Sequence, residues 1–492
     1  MTMARGGSSG PSGEGIEGLD RLIHKAMDEW KVPGLGIAVV RGTGTVLAAG
    51  YGLRDVHAER PVTARTLFAI ASVSKAFTAT CLGILVDEGK LDWDTPVRDY
   101  LPGFRLHDPV AADRVTARDL LCHRTGLPRH DCLWYGTDAE RWDLLDRLRY
   151  LEPSRDLRVK WQYQNLMYMT AGLLIEQITG MNWECFVRER ILGPLGMART
   201  TVDVRTSQDD DDYALPYRLH RNRAVLAGFY TQGAIAPAGG LNSCADEMAQ
   251  WLKLNLRSGR IGRRRIVSAE TLRTIHSPHA VVSGDAPWPE FHHPTYALGW
   301  EVQCYRGRRV LRHGGNIRGF SSHAWIMPKE GIGLAVLTNM TAQPVPALVA
   351  CYAADRLLGV RPAPWFARFK KARDKQKRDK AAERRRAARK RARGTRPSHP
   401  ASDYAGEYKH PAYGTVAVQL KAGKLHALHY GVRKALRHYH HDVFDCDGLF
   451  LEEKRRLSFL SNAEGVIDRL TVPLEPEVEP IVFVRRPSLE SG

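Results

Sequence analysis

A chain of 492 residues is long for a single hydrophobic core, and 43% apolar with 26% charged residues is the composition of a globular protein of two or three domains. Its longest apolar run, Ala347–Ala354, is far short of the roughly 20 residues a membrane-spanning helix needs, so no span is expected. The formal charge of +18 would point to nucleic acid if it were spread over the chain, but it is not: 16 Lys and Arg against Asp374, Asp379 and Glu383 put +13 between Arg368 and Arg396.

In chain order, residues 1–17 are rich in Gly and Ser, with one arginine and no apolar core behind it. They predict a disordered leader and not a secretory signal. Residues 18–360 alternate strand and helix patterns. Leu35-Gly-Ile-Ala-Val-Val40 and Gly44-Thr-Val-Leu-Ala-Ala-Gly50 read as a hairpin, followed by a long helix from about Ser72 to Glu88 that Gly89 stops. Ile332-Gly-Leu-Ala-Val-Leu-Thr338 reads as another buried strand. Strands at both ends with helices between them predict an α+β fold, one antiparallel sheet fed from two directions and packed on an all-helical region. Residues 361–400 form a basic linker, rich in helix formers and bounded by prolines, whose ordinary role is a solvated connection. Residues 401–492 alternate with a period of two between turns and predict a small antiparallel β-domain. The eight cysteines are scattered, without a C-x-x-C pair, and suggest neither a disulfide framework nor a zinc site.

Three short patterns carry chemistry. Ser72-Val-Ser-Lys75 places a hydroxyl and an amine three residues apart, on one helical face. A serine needs a base within hydrogen-bond reach to become a nucleophile, and a desolvated lysine can take that proton. The start of the helix also directs backbone N–H groups at a developing oxyanion. Tyr163-Gln-Asn165 precedes a long apolar helix; a phenol there can pass a proton onward, and an amide can orient substrate. His313-Gly-Gly-Asn316 stands between apparent strands Arg309–Arg312 and His323–Met327, where two glycines allow close approach of a backbone edge to a ligand. Taken singly, each has a plain reading: a capping serine, a packed tyrosine, a Gly-Gly hairpin turn.

The three in this order resemble the serine β-lactamase and penicillin-binding family, in particular the branch of class C β-lactamases, D-alanyl-D-alanine carboxypeptidases and family VIII esterases. Leu91–Pro102, Val115–Pro128 and Ala236–Ser243 also look like that family, so the resemblance spans about residues 18–360. It implies that Ser72 is acylated, that Lys75 and Tyr163 shuttle protons, and that Asn165 orients substrate. The N–H groups of Ser72 and Asn316 would form the oxyanion hole, with His313, Gly314 and Gly315 lining the substrate. One departure matters. His313 stands where penicillin-recognising members carry lysine, and a mostly neutral imidazole puts strong β-lactam turnover in doubt.

The last segment, with Tyr404–Gly414 and Leu436–Phe444, looks like the lipocalin-like domain appended to some relatives. There His438, His440 and Asp442 would share one face of a strand. A spacing of about 6.5 Å between neighbours would keep the outer two from converging on a metal.

The expectation is therefore a cytoplasmic serine hydrolase that cleaves an ester or amide through an acyl-enzyme, an esterase or a peptidase, with D-amino-acid peptides among its candidate substrates. Neither cofactor nor metal is expected. Acyl transfer to an alcohol or amine stays open, as does a silent binding protein that uses the basic linker on nucleic acid, and a homo-oligomer is compatible with either. The acyl group itself is not legible, because loops such as 130–146 and 209–230 set specificity.

Overall fold

The structure, a computed structural model, describes residues 16–284, 286–451 and 453–486, so the expected leader lies almost wholly outside the described residues. The chain divides into two compact units, one comprising Met1–Trp93 and Ile178–Ala372, the other Asp94–Gln177 and Arg373–Gly492.

The first unit is organised by a nine-stranded antiparallel sheet. Its strands are β1 (Gly34–Arg41), β2 (Gly44–Asp55), β3 (Arg60–Pro61), β4 (Ala280–Val281), β5 (Phe291–Tyr296), β6 (Glu301–Tyr305), β7 (Arg308–Ile317), β8 (Phe320–Met327) and β9 (Ile332–Thr338), in the order β4-β5-β6-β7-β8-β9-β1-β2-β3. The hairpin and the late strand read from the sequence are β1, β2 and β9. β1 pairs with β9 from Leu35↔Thr338 to Arg41↔Ile332, which closes the sheet from two directions as expected.

Both faces of the central strands are covered, which is why β1 and β9 are continuous apolar runs and not alternating ones. Leu35, Ile37 and Val39 join the helices Leu19–Trp30 and Val345–Leu357 in one core. On the opposite face, Gly36 and Gly333 leave room for the helix Ala245–Leu256; a Cβ on Gly333 would stand 3.1 Å from Leu252. Fully burying each such Leu, Ile or Val is worth about 1.5–3 kcal/mol. Phe77 stacks on Trp251, ring centroids 3.7 Å apart, and ties the helix Ser74–Asp87 to that layer.

The second unit holds most of the helix Asn165–Thr179, as far as Gln177, and a C-terminal all-β domain. That domain is a nine-stranded antiparallel sheet of β10 (Gly406–His410), β11 (Gly414–Lys421), β12 (Lys424–His429), β13 (Val432–Ala435), β14 (Arg437–His440), β15 (Val443–Asp447), β16 (Lys454–Ser461), β17 (Ile467–Val472) and β18 (Ile481–Arg485). The order β13-β12-β11-β10-β18-β17-β16-β15-β14 curls into a nearly closed barrel around Tyr404, Tyr408, Phe444 and Phe459. The basic stretch forms a helix, Trp365–Arg389.

One local expectation fails. His438, His440 and Asp442 do not share a strand, because β14 ends at His440 and Asp442 lies in the turn before β15. Asp442 there accepts hydrogen bonds from Ser398 N at 2.8 Å and Ser398 Oγ at 2.7 Å. Among the described residues no group of three or more His, Cys, Asp or Glu could hold a metal ion, and no helix is long and apolar enough to cross a membrane.

Candidate active site

Ser72 sits in a tight 3-10 turn, Ala71–Val73, that runs straight into the helix Ser74–Asp87, so the regular helix starts two residues later than the sequence predicts. The turn is held from three sides. Ile70 N donates to Leu241 O at 3.0 Å, Ser322 Oγ on β8 donates to Ile70 O at 2.7 Å, and Leu241 N donates to Ser74 Oγ at 3.1 Å. Ala71 takes a left-handed φ of 45°, a conformation that costs a residue with a Cβ on the order of 1–3 kcal/mol and persists only where the surroundings impose it. That strain sits immediately before Ser72.

One helical turn on, Lys75 is wholly buried. Its Nζ lies 3.3 Å from Ser72 Oγ and donates to Ala238 O at 2.8 Å. Thr78 Oγ1 donates to Pro237 O at 2.6 Å, so the segment 236–241, which resembles the family, is the rail against which this helix is set. The carbonyl at Ala238 fixes where the amine points; a lysine free to rotate would reach Ser72 only part of the time.

The third motif is not the turn that the sequence suggested. His313–Asn316 lies inside β7, paired with β8 as His313↔Ala324, Gly314↔His323 and Gly315↔Ser322, and the chain reverses later, at Arg318 and Gly319. Gly315 is required for a different reason. A Cβ there would stand 2.2 Å from Ile70 O and 2.3 Å from Ser322 Oγ, so only a bare backbone lets β7 lie against the turn that carries Ser72. His313 is buried, with Nε2 2.9 Å from the Tyr296 hydroxyl and Nδ1 2.8 Å from Gly314 O. Burial pushes its pKa down to about 4. Asn316 is exposed and its Oδ1 accepts from Ser321 Oγ at 2.9 Å. A small cavity lined by Tyr230, Gln232, Gly240, Arg318 and Phe320 opens beside Ala69, three residues before Ser72.

Tyr163 and Asn165 belong to the second unit. The Tyr163 ring packs against His123, centroids 4.4 Å apart, and the Arg129 guanidinium lies 5.0 Å from its centre. His123 Nδ1 accepts from Gln164 N at 3.1 Å, and the buried Gln164 side chain accepts from Leu166 N at 2.9 Å, which starts the helix at Asn165. Asn165 Nδ2 donates to Asp131 Oδ1 at 3.2 Å, and Asp131 Oδ2 accepts from Arg129 Nε at 2.7 Å. The predicted residues thus fall into two sets, Ser72 and Lys75 with His313–Asn316 in one unit, and Tyr163 with Asn165 in the other. Sequence reasoning missed Ala71, His123, Arg129, Asp131, Tyr296 and Ser322. His123 carried a signal, since it lies in the family-like stretch Val115–Pro128, and Asp131 lies in the loop 130–146 expected to set specificity.

The Beta-lactamase family matches residues 19–356, and the chain belongs to that family. Residues 390–485 match a domain of unknown function, DUF3471. Among curated proteins, the chain is 31% identical over 420 residues to the unguisins hydrolase ungD' of Aspergillus campestris, covering 81% of this chain and 76% of the relative. It is 28% identical over 453 residues to the unguisins hydrolase ungD of Aspergillus violaceofuscus, covering 83% and 78%. Among solved structures, the octameric penicillin-binding protein homologue from Pyrococcus abyssi superposes with a TM-score of 0.64 at 23% identity, over 94% of this chain and 99% of that one. A class C β-lactamase from Rhodobacter sphaeroides gives 0.56 at 23% identity, over 69% and 98%. The fold is theirs, and the family and its hydrolase relatives make this a β-lactamase-fold hydrolytic enzyme.

Proposed function

We propose that the enzyme cleaves an uncharged ester or amide through an acyl-enzyme on Ser72. The observation that carries this reading is the fully buried Lys75 amine 3.3 Å from Ser72 Oγ, at the end of a strained turn. In this reading Lys75 takes the hydroxyl proton as Ser72 Oγ bonds to the acyl carbon, the carbonyl π pair moves to oxygen, and the backbone N–H groups of Ser72 and Asn316 stabilise the oxyanion. The tetrahedral adduct collapses as the leaving alcohol or amine takes a proton relayed through Tyr163, and water then reverses the sequence to release the acid. Asn165 orients the acyl chain.

The buried, neutral His313 supports a substrate without a carboxylate at that subsite, and the cavity beside Ala69 suits a small side chain. The 31% identity to an unguisins hydrolase supports hydrolysis as the overall reaction, by an esterase or a peptidase. The nearly closed barrel of the C-terminal domain supports a lipocalin-like reading of it. The test is labelling with a fluorophosphonate, followed by peptide mapping. The adduct is expected on the peptide containing Ser72 and absent from Ser72→Ala, which should also lose turnover. An adduct elsewhere, or unchanged turnover in that variant, overturns the reading.

A further inference from the structure

The segment 129–131, which touches both residues of the Tyr163/Asn165 motif, is itself gripped by the C-terminal β-domain. His130 is wholly buried and adopts a left-handed φ of 47°. Its backbone N–H donates to Glu475 Oε2 at 2.9 Å, and its Nδ1 shares a hydrogen bond with the Tyr413 hydroxyl at 2.7 Å. Both partners are buried, Glu475 at 5% and Tyr413 at 0% exposure. The next residues extend the grip: Cys132 Sγ reaches Leu474 O at 3.8 Å. Farther along, Arg147 donates to the Tyr430 hydroxyl at 2.8 Å and Lys160 pairs with Glu477 at 3.0 Å.

The arrangement has a direction. His130 faces the β-domain, while its two chain neighbours face the motif, Arg129 over the Tyr163 ring and Asp131 on the Asn165 amide. A positive φ on a residue with a Cβ, with a carboxyl group buried to receive its N–H, costs free energy that simple packing of one domain on another does not require. Those costs are met by ordering a loop whose other side holds the motif.

We propose that the C-terminal β-domain is a working part of the active site, with Glu475 and Tyr413 acting through His130 as positioning residues for Tyr163 and Asn165. This rests on the reading of Tyr163 as proton relay and Asn165 as substrate guide. Loosening the clasp leaves the nucleophile in place and misdirects its partners, so it lowers turnover more than binding. A misplacement of about 1 Å in such a group can cost up to a hundredfold in rate.

The experiment compares full-length wild type with Tyr413→Phe, Glu475→Ala and Glu475→Gln, using a short-chain aryl ester and active-site titration with a fluorophosphonate. Tyr413→Phe removes one hydroxyl and keeps the ring. Expected per titrated site is a fall in kcat of about tenfold or more for Tyr413→Phe and Glu475→Ala, with KM changed less than about twofold. Glu475→Gln retains an oxygen for the His130 N–H and should recover most of the rate. Wild-type kcat per titrated site in Tyr413→Phe overturns the proposal whether or not Glu475→Ala folds, and so does a Gln variant no better than Ala. Failure of the underlying reading looks different: Tyr163→Phe and Asn165→Ala would themselves keep the wild-type kcat per titrated site.

Discussion

The Tyr296 hydroxyl and His313 Nε2 are 2.9 Å apart, with the imidazole buried in the sheet and its other nitrogen 2.8 Å from Gly314 O. A nitrogen facing a carbonyl must carry the proton, so the tautomer follows: Nδ1–H donates to Gly314 O and Tyr296 donates to Nε2. With a pKa near 4 the ring is neutral at pH 7 and has no positive charge to offer a substrate carboxylate. Loss of one charge-assisted hydrogen bond is worth about 1.5–3 kcal/mol, or ten- to a hundredfold in specificity. We therefore expect kcat/KM for a short-chain aryl ester to exceed that for benzylpenicillin by at least this factor. His313→Lys should narrow the gap. Efficient penicillin hydrolysis by the unmodified enzyme would show that another cation anchors the carboxylate.

The two glycines of the third motif should behave differently. Gly315→Ala places a methyl 2.2 Å from Ile70 O and must push β7 off the turn that carries Ser72, at about 1–3 kcal/mol of stability and at least tenfold in activity. Gly314→Ala meets its nearest atom at 3.7 Å and should stay within about threefold of wild type. Thermal melting and kcat/KM on both variants decide the matter; equal behaviour would mean that the close approach is not what selects glycine.

Lys75→Arg puts a permanent cation, which cannot accept a proton, in place of the amine, and the bulkier guanidinium does not fit where the amine stands 2.8 Å from Ala238 O. Turnover should fall by about a hundredfold or more, the usual range for losing a general base. Stopped-flow acylation with an activated ester isolates this step from deacylation. Activity within about tenfold of wild type would remove Lys75 from the proton path.

Burial also makes the fold acid-sensitive. The imidazoles of His130, His313, His410 and His429 are pushed down to about 4, and those of His276 and His323 to about 3. The unfolded chain takes up these protons as pH falls through about 6.5, whereas the native state resists until about 3–4. Within that window the unfolded state binds more protons, so stability drops as pH falls and is independent of these groups above about pH 7.5. Unfolding midpoints at pH 7.5, 6 and 5 should decline in sequence; a flat series would contradict it.

Much of this was written locally. Continuous apolar runs announced β1 and β9, and Ser72 with Lys75 needed only a helical spacing of three. What escaped depends on partners far along the chain. Gly314 and Gly315 looked like a turn because the reason for Gly315, its close approach to Ile70 and Ser322, lies on other elements. Tyr296 and Asp131 carry no pattern, since each acts by meeting one residue brought near by folding. Asp442 was misplaced by one hairpin, because strand alternation does not reveal where a strand ends.

The pairing of β1 with β9 also governs how the protein can be made. Leu35 and Thr338 are neighbours in the sheet yet roughly 300 residues apart along the chain. At about 5–20 residues per second, a ribosome takes on the order of 15–60 s to deliver the second strand after the first. Throughout that interval β1, buried on both faces in the finished protein, has β2 on one side and an unpaired apolar edge on the other. Synthesis should therefore lean on chaperones that shield such a strand, and the yield of native enzyme should rise with slower translation of the middle of the message or with lower temperature.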